Sequence, residues 1–136
     1  MQTLVKNYAK LTRPIIFDGL KSRTCSPSDV DYILEFYGKY LILGEVKEQG
    51  KDVTIGQNML LTRMADAWNK IPGNVAIVVF SQHNPSDTNI LLAETKLKKV
   101  YKDGKWRDLS DKNLTTKQFL NLFAENYDIS HMKNLN

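Results

Sequence analysis

The chain alternates short, densely apolar runs with polar stretches that hold most of its glycines and prolines, and the spacing inside each run separates helix from strand. In residues 2–13, Leu4, Val5, Tyr8 and Leu11 recur at helical intervals before Pro14, which predicts a first helix with Lys6, Lys10 and Arg13 on its remaining surface. Ile15-Ile16-Phe17 predicts a short strand or an extended segment ending at an Asp18-Gly19 turn, followed by a polar loop that contains Arg23. The runs 32–36 and 40–44 predict an antiparallel pair turning at Gly38-Lys39, and residues 48–51 a polar turn. From Ile55, the residues Met59, Leu60, Met64, Ala67 and Trp68 mark an amphipathic helix capped by Thr54 and stopped by Pro72-Gly73.

Residues 74–80 are apolar without alternation, as expected of a central strand covered on both faces and reached by a β-α-β crossover. The polar loop that follows contains His83, and a lone loop histidine is expected to be incidental. Residues 90–93 predict another strand, and 97–106 a hairpin turning at Asp103-Gly104. Thr115 or Thr116 caps a last helix carrying Phe119, Leu120, Leu122, Phe123 and Tyr127, and the polar residues 130–136 are expected to fray. The elements make an α/β protein: a mixed central β-sheet flanked by helices, in a single domain over residues 1–136.

Composition narrows the class. A chain of 136 residues, 42% hydrophobic and 25% charged, can bury one core without disulfides or metal staples. No apolar run is long enough to span a bilayer and no signal-peptide segment opens the chain, so a cytoplasmic location is expected. The single cysteine, Cys25, is expected to be an idle thiol, and no Cys/His spacing points to zinc. The net charge is only +4, but Lys96, Lys98, Lys99, Lys102, Lys105 and Arg107 crowd one short stretch. Such a patch near acidic residues can hold a polyanion that the acids repel, or can simply solvate a hairpin. Tyr101 and Trp106, set among these lysines, either brace a nucleic-acid backbone or pack beneath the hairpin.

The chemistry concentrates in residues 27–57. In the triplet Glu45-Val46-Lys47 the strand period turns Glu45 and Lys47 to one face and Val46 to the other. Pairing of 32–36 with 40–44 brings Asp31 beside Glu45. Two carboxylates and the Val46 carbonyl at a strand end suit a hard divalent cation such as Mg²⁺, and a neighbouring lysine can position water and counter phosphate charge. Gln57, in the first turn of the following helix, would lie close by.

Asp31, Glu45-x-Lys47 and Gly56-Gln57, in this order on these elements, resemble the PD-(D/E)XK nuclease superfamily, and within it small bacteriophage-encoded endonucleases. The resemblance spans residues 17–79 and implies a restriction-endonuclease-like core. It further implies a Mg²⁺-dependent DNA endonuclease, with Mn²⁺ able to substitute, that hydrolyses phosphodiester bonds, with branched DNA as one substrate and sequence-specific cutting or trimming of single strands or ends as the alternatives. Asp31, Glu45 and Val46 would then be metal ligands and Asp31, Glu45, Lys47 and Gln57 catalytic, in the host-cell cytoplasm if phage-encoded. Cutting both strands of a junction would call for a homodimer.

Two features depart from the pattern. Pro27 is followed by both Asp29 and Asp31, of which Asp31 abuts the strand. The segment 2–13 lacks the acid many members carry on their first helix, so either Asp18 substitutes or the site does without it. The alternative is a catalytically inactive nucleic-acid-binding module of the same fold. A plain interaction protein, with Glu45 and Lys47 as a surface ion pair, is a third.

Overall fold

The computed structural model describes residues 15–16, 18–24, 27–133 and 135. The helix expected over 2–13, Phe17 and Cys25 lie outside them. Five strands, β1 (Tyr32–Phe36), β2 (Tyr40–Glu48), β3 (Val75–His83), β4 (Lys96–Lys102) and β5 (Lys105–Asp108), form one sheet in sequential order. Only β2 and β3 are parallel, and the helix α1 (Ile55–Asn69) connects them; all other pairs are antiparallel. A second helix, α2 (Thr116–Tyr127), follows β5. The described residues are therefore α/β, with a five-stranded mixed sheet and two helices.

Local chemistry accounts for the elements. Between β1 and β2, Tyr37 and Gly38 both take positive φ, and Lys39 N–H donates to the Phe36 carbonyl at 3.0 Å. Asp103 and Gly104 do the same between β4 and β5. Both helices open on capping boxes, Thr54 with Gln57 and Thr115 with Gln118.

The pleat sorts the apolar residues of the central strands between two cores. Leu41, Leu43, Ala76 and Val78 pack against Leu61 and Ala65 of α1. Tyr40, Ile42, Ile77 and Val79 pack against Leu120, Phe123 and Ala124 of α2. Helices on both faces explain the unbroken hydrophobicity of β3, five of whose six first residues are buried.

Three expectations change. Ile15 and Ile16 are exposed and form no strand. Residues 90–93 form no strand either: Leu92–Glu94 is a single 3₁₀ turn, because β4 fills the edge of β3 that such a strand would need. The tail does not fray at its start, since Ser130–Met132 is a 3₁₀ turn and Ile129 and Met132 are fully buried in the α2 core. Among the described residues no helix is long and apolar enough to cross a membrane.

Candidate active site

Glu45 follows Leu41 and Leu43 on the α1 face of β2, so its carboxyl is carried under the helix rather than to the surface. It retains only 2% of its accessible surface. Its neighbour on β3 is Phe80, itself 3% exposed. Such an environment is costly for an ionised carboxylate unless it is paired.

The pairing is partial. Oε1 of Glu45 accepts from Nε2 of Gln57 at 3.0 Å and lies 3.6 Å from Nζ of Lys47. Oε2 is buried and has no hydrogen-bond partner. Burial above all, and then the negative charge of Asp31, push Glu45 up to about 7, against the opposing pull of the Lys47 ammonium.

Asp31 immediately precedes β1. The register pairs Tyr32 with Gly44, which sets Asp31 opposite Glu45 one step further along the ladder. Oδ2 of Asp31 accepts from the Val46 N–H at 2.7 Å. A residue's N–H and C=O leave a strand on the same side, so the Val46 carbonyl also points toward Asp31. Asp31 is exposed and Glu45 buried, which makes the pair asymmetric, one carboxyl open to solvent and one under the helix.

Gln57 is anchored twice. As the third residue of α1, its backbone N–H donates to Thr54 Oγ1 at 3.2 Å, and its side-chain Oε1 accepts from Thr54 Oγ1 at 3.2 Å and from Thr54 N–H at 3.4 Å. The amide nitrogen is thereby aimed at Glu45. Thr54 is the positioning residue that went unread in the sequence beyond its capping role, although the T-x-x-Q spacing carries the signal.

A close approach supports the acid pair from beneath. The Tyr32 ring lies across Gly44, where a Cβ would stand 1.9 Å from Cε1. The Tyr32 hydroxyl is buried without a hydrogen-bond partner, and burial together with the Asp31 charge holds it well above the ordinary tyrosine range.

Other expected contributors stand apart. Asp29 is exposed and its side chain makes no hydrogen bond among the described residues. Asp18 lies 3.9 Å from Lys21 in an exposed pair. His83 turns Nδ1 to the Asn84 carbonyl at 2.9 Å. The pleat also divides the basic stretch. Lys102, Lys105 and Arg107 line a cleft of about 290 Å³ on the α2 face, while Lys99 shares the face of Glu45. Tyr101 and Trp106 pack: the Tyr101 hydroxyl donates to Asp66 Oδ1 at 2.9 Å and Trp106 Nε1 to Asn58 Oδ1 at 2.9 Å.

Among the described residues no three His, Cys, Asp or Glu side chains converge to hold a metal. The carboxylate pair still fits a Mg²⁺-type cation, which takes a few protein oxygens and keeps water as the rest. The unpartnered buried Oε2 of Glu45, beside a second carboxyl, is the donor atom such an ion satisfies. Comparison with protein-family models, curated proteins and solved structures found no match for the chain.

Proposed function

We propose that the protein is a Mg²⁺-dependent DNA endonuclease with a restriction-endonuclease-like core of the PD-(D/E)XK type, directed to branched DNA. The observation that carries this reading is the buried Glu45: one oxygen is engaged by Lys47 and Gln57, the other has no partner, and Asp31 stands opposite. A structural ion pair needs no second acid, and like charges across a ladder destabilise a sheet. Their juxtaposition suits a divalent cation.

Asp31, Glu45 and the Val46 carbonyl hold the ion. When bound, Mg²⁺ supplies a Lewis acid that makes water nucleophilic at neutral pH and offsets the charge developing on the phosphoryl group. Lys47, its side chain 24% exposed, offers its ammonium to the water and to a phosphate oxygen from the solvent side of Glu45. Gln57 fixes the orientation of the Glu45 carboxyl, leaving Oε2 for the ion. Asp31, tied to the Val46 N–H, keeps its carboxyl at the strand end.

The test is cleavage of supercoiled plasmid and of a four-way DNA junction in Mg²⁺ by the unsubstituted protein and by Glu45→Ala. Cleavage lost in the variant and in EDTA supports the assignment. Equal cleavage by both proteins, or by neither, excludes it.

A further inference from the structure

The α1 face of the sheet carries a cross-strand row that begins at Glu45. Glu45 pairs with Phe80, and Phe80 pairs with Lys99. Strands lie about 4.8 Å apart, so the Lys99 backbone stands about 10 Å from that of Glu45, about three nucleotides at 3.4 Å of rise per strand. Of the basic residues in the regular part of the β4–β5 hairpin, Lys99 alone shares this face.

Its ammonium is seated. Nζ lies 4.7 Å from the Trp106 ring centroid and 5.6 Å from that of Phe80. Trp106 is held through Nε1 by Asn58, the residue after Gln57 in α1. The seat of Lys99 and the amide facing Glu45 therefore rest on the same helical turn.

A carboxylate meets this ammonium from the loop that leads into α1. Nζ of Lys99 lies 3.2 Å from Oδ1 of Asp52, and the two side chains are 28% and 70% exposed. The Val53 N–H first, and then Lys99, hold the Asp52 carboxyl below its ordinary range. Asp108, opposite Lys99 on β5, is turned instead to the hydroxyl and N–H of Ser110. Beside the pair opens a concavity of about 500 Å³ lined by Lys51, Lys98 and Gln82 as well as by Phe80 and Lys99.

We propose that Lys99 binds a backbone phosphate flanking the scissile one, and that the Asp52 carboxylate occupies that phosphate's place in the free protein. The inference rests on the nucleic-acid reading above and identifies a second contact of the same site. An exposed ion pair adds little to folding, whereas an ammonium oriented on two aromatic rings is prepared for an anion. A backbone phosphodiester carries one negative charge on two non-bridging oxygens, as a carboxylate does, so it can take the place of the solvent-facing Asp52 carboxylate at the same ammonium.

The experiment is fluorescence anisotropy of a labelled DNA duplex in EDTA, where hydrolysis does not interfere, over a range of KCl concentrations. Lys99→Met is expected to weaken binding about fivefold and to lower the salt slope by about one. Asp52→Asn is expected to tighten binding about two- to threefold by removing the competing anion. The deciding result is the cycle: in the Lys99→Met background, Asp52→Asn should have no effect. Equal tightening in both backgrounds would assign Asp52 a general repulsion and overturn the proposal, as would an unchanged salt slope in Lys99→Met. Lys99→Gln, with melting curves for every variant, separates loss of the ammonium from loss of fold. Absence of duplex binding by the unsubstituted protein overturns both this inference and the nucleic-acid reading. Intact binding with the expected cycle but no Mg²⁺-dependent cleavage leaves Lys99 as a backbone-phosphate contact exchanged with Asp52 and removes the hydrolase reading together with its scissile phosphate.

Discussion

Gln57 Nε2 donates to Glu45 Oε1 at 3.0 Å while Oε1 of the same side chain accepts from Thr54, so one amide both closes a helix cap and orients a buried acid. Cap and acid separate by substitution. Gln57→Glu retains a capping-box residue but sets a second carboxylate against Glu45. Its stability should change little at low pH, and the acid limb of its activity should move to higher pH as Glu45 becomes harder to ionise. Gln57→Ala loses the side-chain half of the cap and the hydrogen bond, and should cost about 1–2 kcal/mol. Melting curves and pH–rate profiles on the two variants check this; the same pH profile in Gln57→Glu and the unsubstituted protein would show that the amide does not act on Glu45.

The raised proton affinity of Glu45 has a defined sign in stability. Unfolded, this carboxyl ionises near its ordinary 4.5; folded, it does so only near about 7. Between those values the folded protein binds the extra proton. The contribution is fully present below 4.5, is lost as pH rises toward 7, and is level above it. Glu45→Gln, which cannot ionise, should therefore be more stable relative to the unsubstituted protein at pH 8 than at pH 5. Denaturant unfolding of both proteins in EDTA measures this, and a difference that stays constant with pH would count against a protonated Glu45.

The hairpin around this site was legible because its cause is local: two dense apolar runs with Gly38 between them specify strands and register, although the turn is centred on Tyr37 and Gly38 rather than on Gly38-Lys39. The helix start was legible in Thr54 and the stop in Pro72-Gly73. What stayed hidden depends on what covers each face. Glu45 reads as a polar strand end, and its burial arises only once α1 folds back over β2 and β3 places Phe80 beside it. The basic stretch reads as one patch, yet the pleat turns Lys99 to the α1 face and Lys102, Lys105 and Arg107 to the other. Residues 90–93 have strand-like composition, but the side of β3 next to them is taken by β4, a fact of topology rather than propensity.

Cation binding should displace the proton that burial keeps on Glu45. A carboxyl ionising at about 7 is about nine-tenths protonated at pH 6 and about one-tenth at pH 8. An ion held by Asp31 and Glu45 requires the charged form, so Mg²⁺ uptake should release about 0.9 proton at pH 6 and about 0.1 at pH 8. Affinity should fall accordingly on acidification. Calorimetry in buffers of different protonation enthalpy counts the protons directly. Lys47→Met removes the ammonium that lowers the Glu45 value and should raise the release at pH 8. Binding with no proton release at pH 6 would place the ion away from Glu45.

Gly44 links backbone packing to the acid pair. Its Cα lies under the Tyr32 ring, and a methyl group there would stand 1.9 Å from Cε1. The ring cannot simply rotate clear without cost, because the residue packs against the α2 core and its hydroxyl is buried. Gly44→Ala should destabilise the protein by about 1–3 kcal/mol through overpacking, although alanine is a milder choice for strand backbone than glycine. Tyr32 directly follows Asp31, so displacing it should also disturb the hydrogen bond from the Val46 N–H. Pairing the substitution with Tyr32→Ala decides the cause. If the clash is responsible, Gly44→Ala should cost far less in the Tyr32→Ala background, where the ring is gone. An equal loss in both backgrounds, measured by urea unfolding, would trace the effect to the glycine backbone and leave the ring without a role in holding Asp31 opposite Glu45.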